Sequence, residues 1–337
     1  MDICNACFSG NLDYSIKFEG EKNWSFLPIL VVYLKKRNHL IHYKNTMVEV
    51  KEEAIVELVG FFKENLDCEA IFFSVDRVNW KPIHLISQTY EARWVDDILV
   101  KNSAFNYIQP IVDGSENVYG YEMLARFHDG NGGVLSPFEV FNAAKLRSRT
   151  FSLDRLCRLT AVKSAAFVSG KVFINFIPTA IYSPEHCLQS TVQLANELNI
   201  EPSRFVFEVV ETEEVEDLAH LKKILMYYKE KGFEYALDDV GEGFSTAEAL
   251  KQLEPHFMKL DMKYVQGVSM DERKQAVAKD FLNTALRVGA VPLAEGIEKR
   301  EDFIWLKNEG YKLFQGYYFG KPSPIHTLET RRKIEEI

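Results

Sequence analysis

From about residue 104 onward one pattern repeats: a short apolar run closes on a polar residue, and a stretch of helical periodicity follows. The runs are VFIN ending at Asn175, RFVFE ending at Glu208, and EYALDD ending at Asp238 and Asp239. HFMKLD follows with Lys259 and Asp261, then VPLAE ending at Glu295 and KLFQ ending at Gln315. Successive endings lie about 20 to 36 residues apart, the length of one strand-helix unit. Runs that are apolar throughout are the mark of parallel strands buried on both faces. The stretch EEVEDLAHLKKILMYYKEKG (213–232) reads as a helix closing on Gly232. Repeated βα units over roughly 230 residues predict a TIM-type barrel or a doubly wound sheet. The polar endings favour the barrel, because its strand ends converge on one mouth. Acids brought together there repel one another unless cations sit among them. The expectation is therefore an α/β fold, a TIM-type (β/α)8 barrel with a metal site.

The first hundred residues read differently. FLPILVVYLKK (26–36) and AIFFSVDRV (70–78) are rich in β-branched and aromatic residues and are predicted as strands. KEEAIVELVGFFKENL (51–66) has apolar residues at helical spacing, with acids early in the run, and is predicted as an amphipathic helix. A small α+β module over residues 1–100 results, regulatory or dimerising by its position. The barrel occupies residues 104–337, with the boundary near 95–105.

Charge narrows the function. The 337 residues carry a formal net charge of −9, which excludes a sequence-independent grip on duplex nucleic acid. A small phosphate ester remains compatible, given metal cations or a few placed Arg and Lys. Five scattered cysteines, Cys4, Cys7, Cys68, Cys157 and Cys187, read as reduced thiols. Cys4 and Cys7 form a CxxC to which His39 and His42 could add, but the spacing favours ordinary side chains over zinc. No apolar run reaches the ~18–20 residues that cross a bilayer, and the start lacks a secretory signal. Cytoplasm without membrane insertion is the expected location. No Ser–His–Asp or Cys–His set is evident, and His256 reads as a buried polar residue at a strand start.

These residues resemble the EAL-domain cyclic diguanylate phosphodiesterases. YGYEMLAR (119–126) is similar to the signature that names the family, with Glu122 and Arg126 keeping its acid and arginine four apart. FINFIP places Asn175, FEVVETE places Glu208 and Glu211, and DDVGEGFST places Asp238 and Asp239. MKLD gives Lys259 and Asp261, AEGIE gives Glu295 and Glu298, and QGYYFGKP gives Gln315, so the likeness runs in order over residues 104–325. The resemblance implies hydrolysis of cyclic diguanylate to the linear dinucleotide pGpG with two Mg²⁺ or Mn²⁺ ions, lowering a bacterial second messenger. It implies that Glu122, Asn175, Glu208 and Asp238 hold one ion, and that Asp238, Asp239 and Glu295 hold the other. Lys259, with Glu295 and Asp239, would be catalytic. Arg126, Gln315 and Asp261 would contact substrate, Glu211 would support a loop, and a homodimer would form.

The sequence departs from the family at Met123 and Leu124, at Phe176 and Ile177, at Val210, and at Val240 and Glu242 in the loop after Asp239. None of these is a metal-ligand position. The altered loop keeps a second reading open, a cyclic diguanylate receptor that signals by binding alone. A barrel hydrolase for another phosphodiester, such as a glycerophosphodiester, would carry an early His-containing signature that YGYEMLAR lacks.

Overall fold

The structure is a computed structural model that describes residues 11–130, 132–209, 218–238, 250 and 252–325. Cys4, Cys7, Val210, Glu211, Asp239, Val240 and Glu242 lie outside the described residues. The chain divides into two compact units. One comprises Met1–Ser103 with Phe127–Leu153, and the other Ala104–Arg126 with Asp154–Ile337.

The first unit is built on an antiparallel sheet of β1 (Asp13–Phe18), β2 (Leu40–Lys44), β3 (Met47–Lys51), β4 (Ile71–Ser74) and β5 (Lys81–Pro82), in the order β2-β3-β1-β4-β5. Four helices accompany it: α1 (Glu21–Lys36), α2 (Ile55–Asn65), α3 (Ile86–Glu91) and α4 (Trp94–Lys101). The strand expected within 70–78 and the helix expected within 51–66 are present as β4 and α2. The strand expected over 26–36 is instead helix. Asn23, Leu27, Leu30, Val31 and Leu34 turn inward at three- and four-residue spacing. Glu21 opens the helix, and Lys35 and Lys36 close it, each favourable to the helix dipole. Ile29 and Val32 lie on the outer face and are exposed, so both faces are apolar and the helical period is hidden. Tyr14, Ile16 and Phe18 of β1 pack with Leu58 and Phe62 of α2 to form the core.

The same unit includes α5 (Pro137–Leu146). Just beyond it, Arg147 is fully buried. Its guanidinium ion-pairs with Glu52 at 2.6 Å and with Asp96 of α4, and donates to the Thr89 carbonyl oxygen at 3.1 Å. A charge this deep persists only with such partners.

The second unit has the barrel architecture expected from the sequence, although Phe127–Leu153, expected within the barrel, group with the first unit. Its strands are β6 (Ala104–Asp113), β7 (Val118–His128, whose last two residues belong to the first unit), β9 (Lys171–Phe176) and β10 (Phe205–Val209). The others are β11 (Glu234–Leu237), β12 (Phe257–Leu260), β13 (Val291–Ala294) and β14 (Leu313–Gln315). The short strand β15 (Ser323–Pro324) pairs onto β6, while β8 (Val134–Leu135) pairs with the last two residues of β7 and belongs with them to the first unit. Neighbours run β6-β14-β13-β12-β11-β10-β9-β7, and pairing of β6 with β7 closes the ring at eight strands. Seven strands are parallel, while β6 runs against β14. Helix α6 (Thr150–Ser164), from Asp154 onward, and the helices Gln189–Glu197, Leu218–Glu230, Glu272–Val288 and Arg300–Glu309 belong to this unit's strand-helix repeats. Among the described residues, no helix is long and apolar enough to cross a membrane.

An apolar layer fills the barrel: Ile111, Phe173, Val206, Ala236, Phe257, Leu293 and Leu313, one from each of seven strands. Side chains two apart on a strand share a face. The next inward position beyond this layer is therefore Asn175, Glu208, Asp238, Lys259, Glu295 and Gln315 in turn. On reversed β6 the matching position is two residues earlier, at Gln109. A polar layer caps an apolar one at a single end of the barrel.

Candidate active site

Lys259 stands at the centre of this polar layer, only 1% exposed. Its ammonium lies 2.6 Å from Glu295 Oε1, 2.9 Å from Glu208 Oε1 and 3.4 Å from Asp238 Oδ1. Burial alone would drive off its proton. The carboxylates of Asp238, Glu208 and Glu295 outweigh burial and hold the Lys259 pKa well above the ordinary lysine range. Burial dominates for Glu208 and raises its pKa well above the usual carboxylate range, against the pull of Lys259. Glu295 is raised as well, by burial and then by Asp238.

A second chain of contacts joins the strands on the other side. Asn175 Nδ2 donates to Glu122 Oε1 at 2.9 Å, and Gln315 Nε2 donates to Glu122 Oε2 at 2.6 Å. Glu122 is buried, which opposes its charge. The field of Lys259 and the bonds from Gln315 and Asn175 nevertheless keep its pKa below the ordinary value. Asn175 and Glu208 are register partners on adjacent strands. Gly316 follows Gln315 at φ 156°, where a Cβ would collide with the Ile297 backbone.

The structure thus brings together Glu122, Asn175, Glu208, Asp238, Lys259, Glu295 and Gln315. Arg126 lies on the same strand as Glu122, its guanidinium 5.0 Å over the Tyr107 ring and bonded to the Ala125 carbonyl oxygen at 2.8 Å. Asp261 takes a different place: its carboxylate accepts the Lys263 N–H at 2.6 Å and caps the short helix Met262–Val265. His256 accepts the Tyr235 N–H through Nδ1 at 3.3 Å, at the entrance to β12. Sequence reasoning missed Gln109. Its Oε1 takes the second Gln315 amide hydrogen at 3.2 Å, and its Nε2 donates to the Gly320 carbonyl oxygen at 3.2 Å. A lone glutamine inside the apolar run YIQPIV was the available signal.

The donor set suits hard divalent cations, which take carboxylate and amide oxygens. Glu208 Oε2 is buried without a hydrogen-bond partner among the described residues, while Glu208 Oε1 and Glu295 Oε1 face the Lys259 ammonium at 2.9 Å and 2.6 Å. A buried acidic oxygen without a partner is ready to take a cation. Among the described residues, no three His, Cys, Asp or Glu side chains already close on one ion-sized point; the acids converge on Lys259.

Residues 92–322 match the family model described as the EAL domain. The chain belongs to the EAL domain family. This EAL domain is 30% identical over 228 residues to the probable cyclic di-GMP phosphodiesterase PdeG of Escherichia coli, covering 64% of this chain and 44% of that protein. It is 29% identical over 227 residues to the cyclic di-GMP phosphodiesterase RocR of Pseudomonas aeruginosa, covering 65% and 57%. The matched region thus spans less than two thirds of either relative. Among solved structures, a standalone EAL protein from Vibrio cholerae in its c-di-GMP bound form matches with TM-score 0.59 and 33% identity, over 66% of this chain and 93% of that one.

Proposed function

We propose that this EAL domain hydrolyses cyclic diguanylate to the linear dinucleotide pGpG. The observation that carries the reading is the polar layer itself, a buried lysine held among three carboxylates beside a linked Asn175–Glu122–Gln315 set. Water oxygen joins phosphorus, one P–O ester bond breaks, and the departing sugar oxygen gains the proton that the water gives up.

Glu122, Asn175, Glu208 and Asp238 would hold one Mg²⁺ or Mn²⁺, and Asp238, Asp239 and Glu295 a second. Bound there, such ions supply a water of lowered pKa and a clamp on phosphate oxygens. Lys259, fixed by its ion pairs, offsets negative charge that builds on the phosphate. Arg126, steadied on Tyr107, offers a planar fork to a phosphate oxygen. Gln315 spends both amide hydrogens on Glu122 and Gln109, so its buried and unpartnered Oε1 is left to accept a donor from the substrate. Asp261 lies just past the end of β12 and would contact substrate only by giving up its cap.

Incubation of the purified chain with cyclic diguanylate and Mg²⁺ or Mn²⁺, followed by chromatography, tests the reading. The expected product is pGpG. Tight binding with the ligand recovered intact would make the protein a receptor instead.

A further inference from the structure

Asp154 sits in α6 and is 2% exposed, yet no cation-ligand set includes it. Its Oδ1 accepts the Ile177 N–H at 2.9 Å. Ile177 is the first residue beyond β9, so this N–H has left the strand ladder and needs another acceptor. Oδ2 of the same carboxylate accepts from Arg158 Nε at 2.8 Å, one helical turn along α6. Arg158 Nη1 then donates to Thr191 Oγ1 at 2.8 Å, on the helix Gln189–Glu197. Arg158 and Thr191 are both fully buried. The result is a continuous link, Thr191–Arg158–Asp154–Ile177, from two helices to the end of β9.

Asn175 lies two residues before Ile177, with its amide on Glu122. The end of β9 is therefore tied twice, by Asp154 through the backbone and by Glu122 through the Asn175 side chain. Apolar packing can join helices to a strand at lower desolvation cost than a buried ion pair. What packing lacks is direction. A carboxylate held on both oxygens fixes one N–H, and so the backbone that aims Asn175, along a defined line.

We propose that Asp154, held by Arg158, is a positioning residue that sets where Asn175 and Glu122 present their oxygens to a divalent cation. The proposal rests on the reading of those two residues as cation ligands. Outer residues that orient metal ligands typically change metal affinity about 10- to 100-fold when removed.

The test is Mn²⁺ binding to the full chain without dinucleotide, followed by calorimetry, with melting temperature measured in parallel. Asp154→Ala is expected to weaken Mn²⁺ binding at least about tenfold. Asp154→Asn keeps an oxygen for the Ile177 N–H but leaves Arg158 without its counter-charge. It is expected to melt lower than wild type yet bind Mn²⁺ within about threefold of it, a separation that a purely structural role does not produce. Wild-type affinity in folded Asp154→Ala overturns the proposal, as does affinity that falls in step with melting temperature in both variants. Should Asp154→Ala not fold, Asp154→Leu decides. It fills similar volume but offers no acceptor to the Ile177 N–H, and weaker Mn²⁺ binding in the folded variant supports the link where unchanged binding refutes it. Asn175→Ala separates the two readings. If it too binds Mn²⁺ like wild type, the ligand assignment itself fails and the proposal falls with it.

Discussion

Arg147 and Glu52 are 95 residues apart in the sequence, yet their side chains meet at 2.6 Å with almost no solvent on either. The pair ties the segment after α5 to the turn that precedes α2, and Asp96 of α4 shares the same guanidinium. Removing one member of a buried pair strands the other's charge. Glu52→Ala is expected to destabilise the first unit by about 3–5 kcal/mol, read as a lower urea midpoint. A fragment starting at residue 104 keeps Arg147 but lacks both acids, and is expected to unfold at lower urea than the full chain. Equal midpoints would remove the pair from any account of stability.

Lys259 carries the only ammonium within reach of Glu208, Asp238 and Glu295 among the described ion pairs. Lys259→Met keeps the volume and removes the charge. Loss of one fixed electrostatic partner of the reacting group commonly costs about 10²–10³ in rate, and kcat is expected to fall by that much with circular dichroism unchanged. Retained turnover would show that Lys259 serves folding alone.

Asp238→Asn removes a charge from the same layer and conserves its shape. Turnover below a tenth of wild type is expected, with the fold intact by circular dichroism. Activity above that level would contradict a cation-bridging role.

Gln109→Leu tests the residue that the strand-end pattern did not reveal. It removes the bonds to Gln315 and Gly320 and leaves one buried Gln315 amide hydrogen unpartnered, a loss of about 1–3 kcal/mol. Up to about a tenfold rise in KM is expected, with a lowered urea midpoint.

Alkaline stability offers a check away from the site. Burial, and then Glu254, raise the Tyr235 pKa to about 12, while in an unfolded chain tyrosine ionises near 10. The folded state thus favours the neutral phenol, so this contribution is complete below about pH 10 and is lost as pH rises from about 10 to about 12. Melting temperature should fall across that window. Tyr14, Tyr228 and Tyr311 are also shifted upward by burial, so a shallower fall in Tyr235→Phe isolates its share. Parallel curves would contradict the assignment.

The polar layer was legible because Asn175, Glu208, Lys259 and Gln315 each break an apolar strand, and such a break has few structural uses. Gln109 escaped because β6 is reversed, which puts its site-facing residue before the apolar position rather than after it. Helix α1 was misread because Ile29 and Val32 make its solvent face as apolar as its buried one. Arg147, Asp154 and Arg158 look like ordinary charged residues in helical text. Their roles depend on partners that only the folded chain brings near.

The reversed strand also governs where the barrel is attached to the rest of the chain. On β6, Ile111 lies level with Gln315 and Asp113 with Leu313, so Ala104 starts at the rim that carries Lys259 and Glu295. The chain departs after Arg126, beyond the level of Asn175 on β9, and returns at Asp154, whose carboxylate meets Ile177 on that rim. All three tethers are fastened to the reactive end, and the opposite floor bears none of them.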